Sequence, residues 1–146
     1  MIENFEFYLN NGMVKKSSPN EESANAIMEK ATARLKYVRE QNITKETAPF
    51  VFENIYETLR ESCQALMELK GYKPYSHEAH VAFLNEYYNF PTQFIETFNR
   101  FRILRNKLVY GAAQISPESC KDALGFAVSF LPKVKQSFDA DKKLKG

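Results

Sequence analysis

Glycine, proline, cysteine and histidine are all scarce in this sequence, and tryptophan is absent. The 146 residues include five glycines, six prolines, two cysteines and two histidines. Because glycine and proline interrupt helices, their scarcity favours long helices with short connections. The scattered glycines form no phosphate-binding loop, dinucleotide-binding fingerprint or Gly-x-Ser-x-Gly elbow. Together with the shortage of histidine, these absences argue against the small-molecule enzymes that such motifs identify.

The cysteines and histidines predict a protein that holds no metal or other cofactor. Cys63 and Cys120 stand alone inside predicted helices, as is usual in a reducing compartment. His77 and His80 are three residues apart, whereas the zinc-binding helix motif needs histidines four apart. The N-terminus lacks the features of a signal peptide, and no apolar run approaches the roughly 20 residues of a membrane span. We therefore expect a cytoplasmic protein without membrane contact. Its formal charge of +2 neither requires nor excludes nucleic acid.

Apolar residues at helical spacing, separated by capping signals, predict a chain made of helices. Residues 1–17 are predicted to form a short helix and an irregular link. Four long helices and one shorter helix follow, the long ones at about 19–41, 44–71, 91–111 and 116–138 and the shorter one at 76–88. Ser18, Ser76 and Ser116 are the predicted caps, Pro132 is expected to kink the last helix, and residues 139–146 are expected to form a frayed, charged tail.

No segment alternates polar and apolar residues between turn signals, so no sheet is expected. The sequence also contains neither an internal repeat nor an interdomain linker. Residues 1–146 are therefore predicted to form a single all-α domain. Its expected architecture is an antiparallel up-and-down four-helix bundle with one or two extra short helices.

One residue interrupts the apolar face of the helix that ends near Gly111. At about 100° per residue, Phe98, Phe101 and Leu108 share one face of this helix, and Arg105 lies in the middle of it. A guanidinium keeps its charge in a protein, and burying it dry and unpaired is costly. Arg105 must therefore meet a carboxylate, water in a cleft, a second subunit or an anionic ligand.

Two interpretations of Arg105 remain open from the sequence. In the first, it forms a buried ion pair with a carboxylate such as Glu57, Glu61 or Glu86. In the second, it is the centre of an anion site to which neighbouring side chains add charge and hydrogen bonds. The residues of that site are Arg102, Arg105, Asn106 and Tyr110. Such a site suits a phosphate better than a metal ion.

The stretch Arg105-Asn106-Lys107-Leu108-Val109-Tyr110-Gly111 resembles the motif of the HEPN (higher eukaryotes and prokaryotes nucleotide-binding) superfamily of helical bundles. That motif begins with arginine and a polar residue and ends with histidine, on a late helix. Residues 75–84 are also similar to the family's shorter middle helix. The resemblance implies a homodimer in which two copies of Arg105 line a groove near a two-fold axis. It further implies RNA or nucleotide binding at Arg102, Arg105, Asn106 and Tyr110, and partnership with a minimal nucleotidyltransferase in a toxin–antitoxin-like pair.

Active ribonucleases of that family, which need no metal, have histidine where this chain has Tyr110. A tyrosine with a pKa near ~10 is a poor general base at pH 7, but its hydroxyl can hydrogen-bond a phosphate or a 2′-hydroxyl. The resemblance thus implies one of two things: a degenerate or weak ribonuclease, in which Arg105 stabilises the cleaved phosphate and Tyr110 orients it, or a partner of a minimal nucleotidyltransferase that binds RNA or a nucleotide without cleaving it. The alternative is a non-catalytic helical module for protein–protein interaction, with Arg105 in a structural ion pair.

Overall fold

A computed structural model describes residues 2–145, which form six α-helices and two short β-strands. The helices are α1 (Phe5–Asn10), α2 (Glu21–Arg39), α3 (Ala48–Lys70), α4 (His77–Tyr87), α5 (Thr92–Val109) and α6 (Pro117–Lys145), and the strands are β1 (Val14–Lys16) and β2 (Tyr72–Pro74). The prediction of a mainly helical chain is confirmed. Within the described range, no helix is long and apolar enough to cross a membrane.

Helix α3 packs against α2, α4, α5 and α6 and is buried along most of its length. Its fully buried side chains include Phe52, Ile55, Leu59 and Leu66. Complete burial of a side chain of this size contributes about 1.5–3 kcal/mol. The other long helices and α4 are therefore arranged around α3.

Helix α2 runs antiparallel to α3, as the polar contacts between them show. Ser23 Oγ donates to Glu68 Oε1 at 2.8 Å, and further along, Arg34 Nε donates to Glu61 Oε1 at 2.8 Å. Residue numbers therefore rise along α2 as they fall along α3. The short connection from 40 to 47 is consistent with this hairpin-like arrangement.

Helix α6 runs parallel to α3. The Cys120 thiol lies 3.5 Å from the carbonyl oxygen of Ala48 at one end, and Lys70 Nζ lies 3.9 Å from Asp141 Oδ2 at the other. Close packing of two parallel helices is not expected between neighbours in an antiparallel bundle. It shows that α3 and α6 approach each other across the middle of the molecule.

Aromatic contacts hold α5 against α3 and α6. The rings of Phe101 and Phe52 are 5.4 Å apart, and those of Phe98 and Tyr56 are 6.0 Å apart, so α5 runs antiparallel to α3. Phe98 also packs on Phe130 of α6, with the ring centres 5.5 Å apart. These aromatic side chains anchor one face of α5, and beside that face Arg105 lines a groove with α3 while Arg102 contacts Glu78 of α4.

Capping side chains set most helix boundaries. Ser76 accepts the Ala79 N–H at the start of α4, as predicted. The predicted cap at Ser18 is wrong. The capping residue is Asn20, whose side chain accepts the Ser23 N–H at 3.0 Å, and α2 begins at Glu21. Both helices have acidic residues in the first turn, Glu21 and Glu22 in α2 and Glu78 in α4, where the helix dipole favours negative charge.

Helix α3 starts later than the sequence predicts, whereas the end of α5 and the start of α6 lie close to their predicted positions. The N–H of Thr44 and that of Thr47 each donate to the other's hydroxyl, at 2.8 and 3.2 Å, and close a turn before α3 begins at Ala48. Gly111 ends α5 with φ at 71°, a left-handed conformation that glycine adopts without strain. Ser116 accepts the N–H of Ser119 at the start of α6.

The prediction that the chain has no sheet is wrong. Strands β1 and β2 pair antiparallel, with Val14 opposite Pro74. Each strand has three residues, which is too short to show alternation, and the two strands come from distant parts of the chain. Gly71 makes this approach sterically possible. It has φ at 91°, its carbonyl accepts the Ser17 N–H at 2.7 Å, and a Cβ there would lie 2.5 Å from the Ser17 oxygen.

The expectation of a frayed tail after Phe138 is wrong for the residues that the structure describes. Helix α6 continues to Lys145, and it passes through Pro132 without ending. Asp141 accepts the Tyr88 hydroxyl at 2.5 Å, and Lys142 Nζ donates to the Asn25 side chain at 2.9 Å. These contacts with α2 and the end of α4 supply partners that a local sequence pattern does not reveal. Gly146 lies outside the described residues.

Candidate anion-binding site

Arg105 is half-buried on α5 and forms no ion pair with a carboxylate among the described residues. Its Nε is fully buried and has no hydrogen-bond partner, and its Nη1 makes only a long contact of 3.5 Å to Asn106 Oδ1. Among residues 2–145, no acidic side chain forms an ion pair with it. The conflict that the sequence indicated, a permanent charge on an apolar helix face, therefore persists in the folded protein.

The ion pairs considered for Arg105 are not formed, because the candidate carboxylates are engaged elsewhere or exposed. Glu57 is bonded to Arg60, one turn further along α3. Glu61 is bonded to Arg34 of α2. Glu86 is exposed on α4. The ion-pair interpretation of Arg105 therefore has no partner among these three carboxylates, which leaves water in a cleft, a second subunit or an anionic ligand.

Arg105 lines a groove of about 350 Å³ between the first turns of α3 and the last turns of α5, which we call the Arg105 groove. Its lining residues are Pro49, Phe50, Phe52, Glu53, Arg105, Leu108 and Val109. Phe50 is 68% exposed and Val109 is 50% exposed. Glu53 is also exposed and forms no ion pair with Arg105. The groove thus combines an open apolar wall with one cation and one carboxylate that are not paired with each other.

The remaining predicted site residues lie at different distances from this groove. Asn106 is half-buried and touches Arg105. Arg102 is directed towards α4, where its Nη1 lies 3.8 Å from Glu78 Oε1, and its Nε donates to Asn99 Oδ1 at 2.9 Å. Tyr110 caps the end of α5 and is 85% exposed. The structure therefore brings Asn106 to Arg105, turns Arg102 to the neighbouring helix and leaves Tyr110 in solvent.

Three further residues, which were not predicted, form a polar cluster between α3, α4 and α5. The Tyr56 hydroxyl and His77 Nδ1 are 3.0 Å apart, and the two rings stack with their centres 5.6 Å apart. Arg60, one turn beyond Tyr56, completes this His77 cluster. Arg105 and Arg102 lie close enough for their charges to act on the His77 imidazole. Arg105 is therefore shared between the groove and the cluster.

In the His77 cluster, the rings of His77 and Tyr56 are neutral and the positive charges belong to the arginines around them. Burial lowers the pKa of His77, and the charges of Arg60 and Arg105 lower it further, with Glu57 acting in the opposite direction. The imidazole is consequently neutral at pH 7. Burial raises the pKa of Tyr56, against the opposing effect of the nearby arginines, so its hydroxyl stays protonated. Two neutral rings joined by a hydrogen bond thus lie near several fixed cations.

Arg60 and Arg102 differ from Arg105 because each has a carboxylate partner. Arg60 Nε donates to Glu57 Oε1 at 2.9 Å. Burial acts to raise the pKa of Glu57, but the contact with Arg60 outweighs it and holds that pKa below its usual value. Arg102 has only the longer contact to the half-exposed Glu78. An anion entering this region would therefore meet Arg105 first as an unsatisfied donor.

The sequence carries a weak signal for the missed residues. Glu53, Glu57 and Arg60 follow one another at intervals of four and three along one face of α3, whose other faces are apolar. His77 comes directly after the Ser76 cap and is therefore on the first turn of its helix. What the sequence does not show is that α3, α4 and α5 are neighbours, and only this packing joins these residues to Arg105.

Comparisons with protein-family models, with curated proteins and with solved structures find no match to this chain. What the site can do therefore follows from the chemistry of its own residues. Within residues 2–145, no three His, Cys, Asp or Glu side chains are grouped as metal ligands. The donors that are grouped are guanidinium and imidazole N–H groups, and these recognise phosphate oxygens.

Proposed function

We propose that this protein is a HEPN-like homodimer that binds RNA or a nucleotide through its phosphate at the Arg105 groove. The observation that carries the proposal is the half-buried guanidinium of Arg105, which lines an open groove and has no carboxylate partner among residues 2–145. An anion with several acceptor oxygens would be held there by charge-assisted hydrogen bonds. The Nε is itself buried and unpartnered, which costs about 1–3 kcal/mol, and binding removes that cost if the guanidinium turns its Nε towards the groove.

The arrangement of the helices supports this family assignment. We propose that α2, α3, α5 and α6 form the antiparallel up-and-down bundle of the family, with α1 and α4 as the extra short helices. Contacts between successive long helices run in opposite directions, and the motif stretch closes α5, the third of them. The close, parallel packing of α3 and α6 would make this bundle flattened, with α3 and α6 meeting across its short diagonal.

The outer face of α5 supports a two-fold dimer. Ile103 and Tyr110 are both exposed and lie seven residues apart, on one face of the helix, with Lys107 between them. A second copy packing against this face would bury both apolar side chains. It would also enclose Tyr110 and the adjacent Asn106 between the subunits, whereas the Arg105 grooves, about 200° around the helix from Ile103, would lie on the flanks of the dimer.

Binding with weak or lost cleavage fits the groups present. Tyr110 is a poor base, as its residue type implies, and its exposed hydroxyl is free to orient a phosphate across the dimer. In a toxin–antitoxin-like pair, such a protein would work beside a minimal nucleotidyltransferase. Cleavage is tested separately by incubating RNA with the unmodified protein and with Tyr110→His, whose imidazole restores a group that titrates near neutral pH.

The proposal is tested by titrating a fluorescently labelled single-stranded RNA and measuring its anisotropy. We expect Arg105→Ala to weaken binding at least about tenfold and to reduce the slope of log K against log salt by about 0.7. Lys121→Ala is the matched control, because it removes the same charge from an exposed position on α6, outside both the groove and the outer face of α5. Circular dichroism of both variants checks that each is folded. Equal binding by both variants, or no RNA binding at low salt, would contradict the proposal.

A further inference from the structure

Phe50 is an exposed phenylalanine on a rigid element, and nothing in the folding of the chain requires it there. Its neighbours Ala48, Val51 and Phe52 are buried and fix the first turns of α3 to the core, whereas the Phe50 ring is largely exposed. Exposed apolar side chains are common singly and need no explanation by themselves. This one, however, shares a groove with the unpartnered Arg105.

We infer that the Arg105 groove takes one nucleotide with an unpaired base, the base stacking on Phe50 and the phosphate bound by Arg105. This inference rests on the proposed function. It adds recognition of the base, because Arg105 by itself selects only for the phosphate. Inorganic phosphate or a phosphopeptide would use the cation but leave the aromatic wall exposed. A nucleotide uses both, because every base has a flat face that stacks on an aromatic ring.

The dimensions and composition of the groove suit a single nucleotide. Its volume of about 350 Å³ is at the lower end of the range for small-ligand pockets. Leu108 and Val109 continue the apolar wall on the α5 side. Stacking on one ring tolerates any base, so this site would bind single-stranded RNA in preference to a duplex, whose bases are already stacked on one another.

Glu53 supplies an acceptor in the same groove. A carboxylate repels phosphate, so it would face the base or ribose and accept hydrogen bonds from their N–H or O–H groups. Guanine presents two adjacent N–H donors on one edge, which a carboxylate accepts together. For this reason 5′-guanosine monophosphate is the probe of choice, with guanosine and inorganic phosphate as its separated halves.

Isothermal titration of the full chain with these three probes tests the inference. We expect the nucleotide to bind at least about tenfold more tightly than either half, and Phe50→Ala to weaken nucleotide binding about tenfold without changing the affinity for inorganic phosphate. Phe50→Tyr keeps a stacking ring and should restore binding. Tyr75→Ala is the matched control, because Tyr75 is 66% exposed and lies outside the groove.

The outcomes separate this inference from the proposed function. Nucleotide and inorganic phosphate binding equally tightly, or Phe50→Ala leaving nucleotide affinity unchanged, would overturn the stacking site. If RNA binding then still depended on Arg105, the proposed function would stand without it. Loss of the Arg105 dependence would instead remove both. Thermal unfolding of Phe50→Ala should be close to that of the unmodified protein, since the ring is mostly in solvent.

Discussion

Replacing Arg105 with methionine should stabilise the protein while it abolishes phosphate binding. Methionine keeps an unbranched apolar stem on the same helix face and removes the buried, unpartnered Nε. An unsatisfied buried donor costs about 1–3 kcal/mol, and part of the guanidinium faces solvent, so the expected gain in the free energy of unfolding is about 1–2 kcal/mol. In a domain of this size, about 1 kcal/mol shifts the melting temperature by roughly 3 °C.

Urea denaturation and differential scanning calorimetry, without added anions, measure this change. Lys107→Met is the control, because Lys107 is exposed on the same helix and its replacement should stay within about 0.5 kcal/mol. Adding phosphate should then raise the melting temperature of the unmodified protein and not that of Arg105→Met. Destabilisation by about 3–5 kcal/mol would refute the reasoning, since that is the effect of breaking a buried ion pair.

Three further predictions concern the framework that holds the site. His80 is buried, and burial lowers its pKa to about 3. The unfolded chain therefore binds a proton at this histidine more tightly than the folded protein does. The free energy of unfolding should fall by up to about 1.4 kcal/mol for each pH unit below about 6.5. Equilibrium unfolding of His80→Leu across this range should show a smaller slope, and an equal slope would contradict the assignment. Gly71→Ala should cost about 2 kcal/mol or more by chemical denaturation, because of its positive φ and the approach of Ser17; a neutral effect would mean that the β1–β2 pairing is dispensable. Tyr88→Phe should cost about 1 kcal/mol by losing the hydrogen bond to Asp141, whereas no loss would show that the end of α6 is frayed after all.

Local capping chemistry is the part of the fold that the sequence predicts best. Ser76 and Gly111 act within one turn of their own helices, so their roles are visible without knowledge of the rest of the chain. The strand pair and the ordered end of α6 are different. They depend on contacts such as Tyr88 with Asp141, between residues far apart in the chain, and no local pattern reports such contacts.

The candidate site likewise has one part that the sequence predicts and another part that only the packing of the helices reveals. Helical spacing alone places Arg105 on an apolar face and indicates an unresolved charge. The groove wall at Phe50 and the stacked pair of Tyr56 and His77 come from other helices, so they become visible only when α3, α4 and α5 are packed together. Tyr110 is the opposite of Phe50. It is close to Arg105 in the sequence and belongs to the same motif, yet in the single chain its side chain lies in solvent.

A crystal structure of the protein with a short single-stranded RNA would show whether Arg105 binds phosphate. We expect phosphate oxygens at about 2.7–2.9 Å from the guanidinium nitrogens of Arg105. A carboxylate from the same chain or from a second copy, bound to Arg105 while the RNA lies elsewhere, would contradict it.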